Sequence, residues 1–180
     1  AENQGIEFKV EKDGNVSDIF YSDEQRLQQI IKNLLSNAFK FTEGGSVVLR
    51  FSQPAPEIVA QWQQTEEESA WLEVSVTDTG IGIPDDKQDL IFEAFQQVDG
   101  ATMRKYGGTG LGLSICKEFA RLLGGHILVE SCEGKGSKFS LYIPNLPNGL
   151  NKQSETIIAT EEVAAGFVFN EEQRTQETIV

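Results

Sequence analysis

The sequence predicts an α/β (α+β) domain, and three observations carry that expectation. Its 180 residues are 39% hydrophobic and 24% charged, which suits one globular domain that buries a core and still has room for a ligand site. Residues 22–41 and 111–123 repeat apolar side chains at the helical period. Around them, residues 6–10, 46–52, 71–77, 126–131 and 137–143 are short apolar or alternating runs bounded mostly by turn residues, the pattern of strands. The net charge of -13 argues against nucleic acid or an anionic membrane surface as the main partner, because either repels the domain at long range. Cys116 and Cys132 make no metal-ligand spacing and no disulfide framework, so they read as small apolar residues in a reducing compartment. No apolar run is long enough to span a bilayer and no secretory signal opens the chain, so a cytoplasmic location is expected. The abrupt start reads as a piece of a longer chain, the cytoplasmic portion of a membrane-bound sensor being one such parent.

In chain order, residues 6–10 alternate as a half-buried strand, Gly14 and Asn15 turn the chain, and Ile19 to Tyr21 form an apolar patch. A helix follows. Ser22 and Gln25 have capping-box spacing, and Leu27, Ile30, Ile31, Leu34, Leu35 and Ala38 fall on one face. Beside that face Asn33, Asn37 and Lys40 form a narrow polar stripe. It is either a solvated flank or a cation and phosphate site, in which an amide oxygen completes a Mg2+ shell and a lysine meets a phosphate. Gly44 and Gly45 stop the helix and residues 46–52 are a strand. Residues 53–69 are far longer than a hairpin connection needs, and read as a surface excursion that Ile58, Val59 and Trp62 pin to the body through a short helix.

After the strand at residues 71–77 comes DTGIGIP, residues 78–84. Asp78 is ordinary turn chemistry or a base-reading carboxylate: when ionised it accepts from the exocyclic amine of adenine, whereas guanine offers an acceptor there, so the pairing selects ATP over GTP. Residues 85–97 read as a short helix carrying Leu90, Ile91, Phe92 and Phe95, and residues 96–106 as a polar loop with the makings of a lid. Gly107, Gly108, Gly110 and Gly112 then run into the second long helix, which starts near Leu111. That glycine-rich turn clears side chains from backbone amides that suit a polyphosphate. It is neither a Walker loop, since Leu113 and Ser114 follow Gly112, nor a Rossmann fingerprint, since Leu113 stands where glycine is required. Gly124 and Gly125 end the helix, a turn at residues 132–136 joins the last two strands, and Pro144 and Pro147 close the domain. The domain is therefore set at residues 1–147. Residues 148–180 read as an acidic linker or tail that docks only if its apolar islands, Ile157 with Ile158 and Phe167 to Phe169, find a groove.

Five motifs in order, NLLSNAFKFT, DTGIGIP, FEAF, GGTGLGL and GKGSKFSLYIP, resemble the ATP-binding catalytic domain of sensor histidine kinases, within the Bergerat-fold ATPase superfamily. The resemblance implies a two-layer α/β sandwich, a mixed sheet with helices packed on one face. It implies Asn37 as the Mg2+ ligand, Asn33 as its companion and Lys40 as a phosphate contact. Asp78 is the adenine-reading carboxylate, with Gly80, Gly82 and Ile83 at the base. Phe92 and Phe95 position the lid, Gly108, Thr109, Gly110, Leu111 and Gly112 face the phosphates, and Ser137 joins the nucleotide-binding set. The implied cofactors are ATP and Mg2+. The implied partners are a dimerisation hairpin bearing the acceptor histidine, in the same protein or a dimer mate, and a downstream response regulator. That hairpin is not in the sequence, and His126, the one histidine, reads as a structural residue of a strand. Two other functions stay open within the superfamily. A conformational clamp ATPase of the chaperone or topoisomerase type uses a glutamate where Asn33 stands, and an amide is no general base. A serine kinase acting on a regulatory protein is the third reading.

Overall fold

The computed structural model describes residues 5–62, 70–93, 110–145 and the strand Glu155–Ile157. Strands β1 (Ile6–Lys12), β3 (Gly45–Ser52), β4 (Trp71–Asp78), β5 (His126–Cys132) and β6 (Gly136–Pro144) make one sheet in the order β1-β3-β4-β6-β5. β1 and β3 are parallel and every other neighbouring pair is antiparallel, so the sheet is mixed as expected. The parallel pair is joined by the long crossover that such a pair requires: β2 (Ile19–Tyr21) and then helix α1 (Glu24–Phe41).

Helix α1 buries Leu27, Ile30, Ile31, Leu34, Leu35 and Ala38, the six residues that its period marks out. It packs on β3 and β4 and against the second long helix, α3 (Gly112–Leu122), which packs on β5 and β6. Alternate strand residues meet the helices: Val47, Leu49 and Phe51 on β3, Leu72, Val74 and Val76 on β4, and Phe139, Leu141 and Ile143 on β6, all buried. Both long helices thus lie on one face, the two-layer sandwich that the motifs imply.

The opposite, outer face is polar. Glu73 accepts from Ser140 Oγ at 3.0 Å and Ser52 Oγ at 3.3 Å, and pairs with Lys138 Nζ at 2.9 Å. The excursion after β3 forms the short helix α2 (Pro56–Val59) and sets Trp62 against this face, its ring stacked on His126 with centroids 4.2 Å apart and near Tyr142. His126 is therefore a packing residue, and burial lowers its pKa from the ordinary histidine value.

Two local expectations change. The N-cap of α1 is Asp23 rather than Ser22: its carboxylate accepts from Arg26 N at 3.0 Å and pairs with the Arg26 guanidinium, a stronger cap than a hydroxyl reaching for Gln25. In place of a helix after Pro84 there are two 3-10 turns, Asp85–Lys87 and Leu90–Phe92, with Glu93 extended. Asp85, Asp86 and Asp89 are poor helix formers, and the Gln88 side chain bonds out of this segment, to Ser131 O at 2.9 Å. Within the span read as a linker or tail that could dock, the three described residues form the strand β7 (Glu155–Ile157), which pairs antiparallel with β2.

Candidate functional site

The candidate residues gather at one end of the sheet because the ends of α1, β4 and the β5–β6 hairpin meet there. Asp78 is the last residue of β4, paired with Ser137 on β6 and Val47 on β3. Its side chain shares the helix-covered face with Val74 and Val76 and is 7% exposed. Oδ1 accepts from Gly80 N at 2.8 Å. Burial pushes the carboxyl above its ordinary range, and hydrogen bonds from the Gly80 and Ser137 amides pull it part of the way back. A carboxylate has about four lone-pair sites, so two amides leave acceptor capacity for a guest.

The loop after Asp78 is fastened on three sides. Thr79 N donates to Ser46 O at 3.1 Å, Ile81 N to Phe41 O at 3.2 Å, and Gly134 N donates to Ile81 O at 2.7 Å. Ile83 N donates to Ser131 Oγ at 2.8 Å. This packing accounts for two glycines, Gly80 and Gly82. A Cβ on Gly80 would strike Phe41 O, and one on Gly82, whose φ is +67°, would strike Cys132 O. Their immediate neighbours are the chain's own backbone. Gly136 has the same origin, because a Cβ there would meet Asp78 O.

On α1, Asn33, Asn37 and Lys40 are half-buried. Asn33 Nδ2 donates to Gly112 O at 3.4 Å and Oδ1 accepts from Gln29 Nε2 at 3.3 Å, which joins the asparagine helix to the first turn of α3. Beneath them the Cys116 thiol is buried and pushed up to about 11, an inert packing group. Lys40 Nζ lies 4.9 Å from the Phe41 ring centroid. The start of α3 has no side-chain cap and no acidic residue in its first turn, Gly110 holds φ +70°, and a Cβ on Gly112 would enter open space. Those amides are suited to an anion. Phe92 meets Phe139 edge to face at 6.3 Å, with Lys117 Nζ 5.9 Å from its ring centroid, so it is anchored in the core beside α3. Phe95, Gly108, Thr109 and the loop at residues 96–106 lie outside the described residues.

The described residues include no group of three or more His, Cys, Asp or Glu side chains that would hold a metal. An amide such as Asn37 fits a Mg2+ that takes its other oxygens from phosphates and water. Among the described residues, no helix is long and apolar enough to cross a membrane.

Two participants escaped the motif reading. Ser131 sits between Ile83 and Ser137, and Gln88 bonds both Ser131 O and Ile83 O. The signal for Ser131 was present, since a hairpin turning at residues 133–135 sets it opposite Ser137. Nothing local marks Gln88.

Fold and site together define a nucleotide-binding module: a buried carboxylate at the end of a central strand, an amide-bearing helix beside it and an uncapped helix start. The family model of histidine kinase-, DNA gyrase B- and HSP90-like ATPases matches residues 22–147, and the chain belongs to that family. The circadian input-output histidine kinase CikA of Synechococcus elongatus is 41% identical over 175 residues, covering 85% of this chain and 21% of that protein. The autoinducer 2 sensor kinase/phosphatase LuxQ of Vibrio parahaemolyticus is 42% identical over 147 residues, 80% of this chain and 16% of that one. Full-length ShkA in complex with AMPPNP superposes with a TM-score of 0.63 at 34% identity, over 80% of this chain and 26% of that chain. The catalytic domain of histidine kinase ThkA, nucleotide free, gives 0.60 at 29% identity over 80% of this chain and 83% of that one. This chain is thus a histidine-kinase-type ATP-binding catalytic module, spanning 21% or less of these two curated relatives.

Proposed function

We propose that this domain binds Mg-ATP and donates the γ-phosphoryl group to a histidine on a separate dimerisation hairpin in two-component signalling, from which a response regulator is served. The observation that carries the reading is Asp78, a buried carboxylate fixed by two amides with acceptor capacity left over. It accepts from the exocyclic amine of adenine. The amides at the start of α3, from Gly110 to Gly112, take phosphate oxygens, and Lys40 adds a point charge. Asn37 holds Mg2+ through its amide oxygen, and the metal, when bound, supplies charge neutralisation on the phosphates. This chain contributes position and charge, and the nucleophile comes from the hairpin. Phe95, Gly108 and Thr109 complete the lid and phosphate turn in this reading, and the protein acts in the cytoplasm.

Hydrolysis as the purpose is disfavoured at one residue. The position where clamp ATPases carry a glutamate is Asn33, and its amide is occupied between Gln29 and Gly112 O. An amide accepts no proton from water. Incubated with labelled ATP and Mg2+, the domain alone is expected to stay unlabelled and to turn ATP over slowly. A helical hairpin with a histidine followed by a carboxylate, taken from a related kinase, is expected to acquire acid-labile, alkali-stable label. Label on the domain itself sinks the reading. Alkali-labile label on a serine of an added regulatory protein favours the serine-kinase alternative.

A further inference from the structure

We infer that Ser131 is a specificity-determining residue: it fixes the Ser137 hydroxyl as an acceptor beside Asp78, so that the base-reading corner offers lone pairs only. The inference rests on the assignment of Asp78 to adenine. Ser131 and Ser137 face each other across the β5–β6 hairpin with their hydroxyl oxygens 2.9 Å apart, and Ser137 faces Asp78 across β6 and β4. Cross-strand partners put their side chains on the same face of the sheet, so the three form one row.

A hydroxyl has one proton and two lone pairs. Ser131 Oγ donates to Gly136 O at 3.0 Å and accepts from Ile83 N at 2.8 Å. Its proton is committed to a carbonyl, so the 2.9 Å contact is made by Ser137 donating into the remaining lone pair. The Ser137 proton is thereby turned away from Asp78, and its oxygen remains an acceptor. A nucleobase meeting two acceptors must present a donor, as the amine of adenine does. The carbonyl of guanine meets lone pairs at both. Gln88 ties the loop at Ile83 to the hairpin without touching either hydroxyl. Its amide donates to Ser131 O at 2.9 Å and Ile83 O at 3.2 Å, so Ile83 is held at both its N–H and its carbonyl.

Titration calorimetry of the 180-residue chain with ATP and with GTP tests the idea, using Ser131→Ala, Ser131→Thr and Gln88→Ala. Loss of Ser131 frees the Ser137 proton to rotate toward the base. Ser131→Ala is then expected to lower the ATP/GTP affinity ratio about fivefold, the size of one net hydrogen bond. Ser131→Thr, which keeps the hydroxyl, should restore the ratio. Gln88→Ala should weaken both nucleotides with the ratio retained. Amide hydrogen exchange at Ile83 without nucleotide is expected to quicken in Ser131→Ala and Gln88→Ala. Faster exchange in Ser131→Ala with an unchanged ratio would leave Ser131 a mere anchor and overturn the inference. A wild-type chain with no preference for ATP, and no response to Asp78→Asn, would sink the Asp78 assignment itself and the selectivity role with it.

Discussion

Around Asp78, backbone groups from α1, the loop after β4 and the β5–β6 turn close on one another through Phe41 O, Ile81 and Gly134, and a Cβ on Gly80, Gly82 or Gly136 would strike a backbone carbonyl oxygen. At the start of α3, no side chain among the described residues caps Leu111, the space over Gly112 is open, and the Asn33 side chain reaches across from α1 to Gly112 O. The start of α1 makes the contrast sharper, because there Asp23 caps the amides and Glu24 adds charge in the first turn. A helix whose orphan donors are met by its own carboxylate has no use for a guest anion. One whose donors are unmet gains most from binding one. The end at Asp78 is thus closed by the chain's own backbone, whereas among the described residues no side chain caps the start of α3, where the proposed reading places the phosphates.

The largest expected effect separates the glycines. Gly82→Ala places a Cβ on Cys132 O at a positive φ and should cost about 2 kcal/mol or more, a fall in Tm of about 4–8 °C. Gly112→Ala meets nothing and should leave Tm unchanged while lowering ATP affinity. Equal losses of stability in melts of the two variants would erase the distinction between the ends.

Asp78→Asn comes next, with about tenfold or greater loss of ATP affinity and no loss of stability at pH 7. The folded-state pKa is raised, so the folded protein holds this proton more tightly than the unfolded chain does. The cost of the ionised carboxylate is absent below about 3.9, grows as pH rises through that value toward the raised one, and is constant above it. The variant should therefore gain on wild type in Tm between pH 4 and 7. A pH-independent deficit would contradict a desolvated carboxylate.

Asp23→Ala removes the cap of α1 and should lower Tm by about 2–4 °C, with the rise produced by saturating ATP unchanged. If that rise shrinks, the two helix starts are not independent. The smallest effect belongs to the outer face. The His126 pKa is lowered, so its stabilising contribution is complete above about 6.5 and is lost as pH falls below that value. Trp62→Ala exposes the ring and should flatten Tm between pH 7.5 and 5.5 slightly, with ATP binding unaltered.

Much of this was legible in the sequence because the information is periodic or local. The six buried residues of α1, the five strands of the sheet and the positions of Asp78, Asn33 and Gly112 follow from spacing and motif. What was not legible depends on contacts between distant segments. DTGIGIP gives no hint that Gly82 is required by Cys132, fifty residues on, because the hairpin must first fold against the loop. Gln88 is one polar residue among several until its amide finds Ser131 O. The short pairing of β7 with β2 lay in a stretch whose composition reads as tail, since Glu155 and Thr156 carry no strand pattern until a partner supplies one.

That pairing has a mechanical side. Leaving the main sheet at Pro144, the chain does not hang from its edge: Tyr21 N donates to Asn145 Oδ1 at 2.9 Å, and Glu155–Ile157 then lies along Ile19–Tyr21, immediately before α1. A pull on the polypeptide beyond Ile157 is met first by a three-residue ladder, and passes from there into the root of the helix that carries Asn33, Asn37 and Lys40. This ladder has three residue pairs, against six to eight between neighbouring strands of the main sheet.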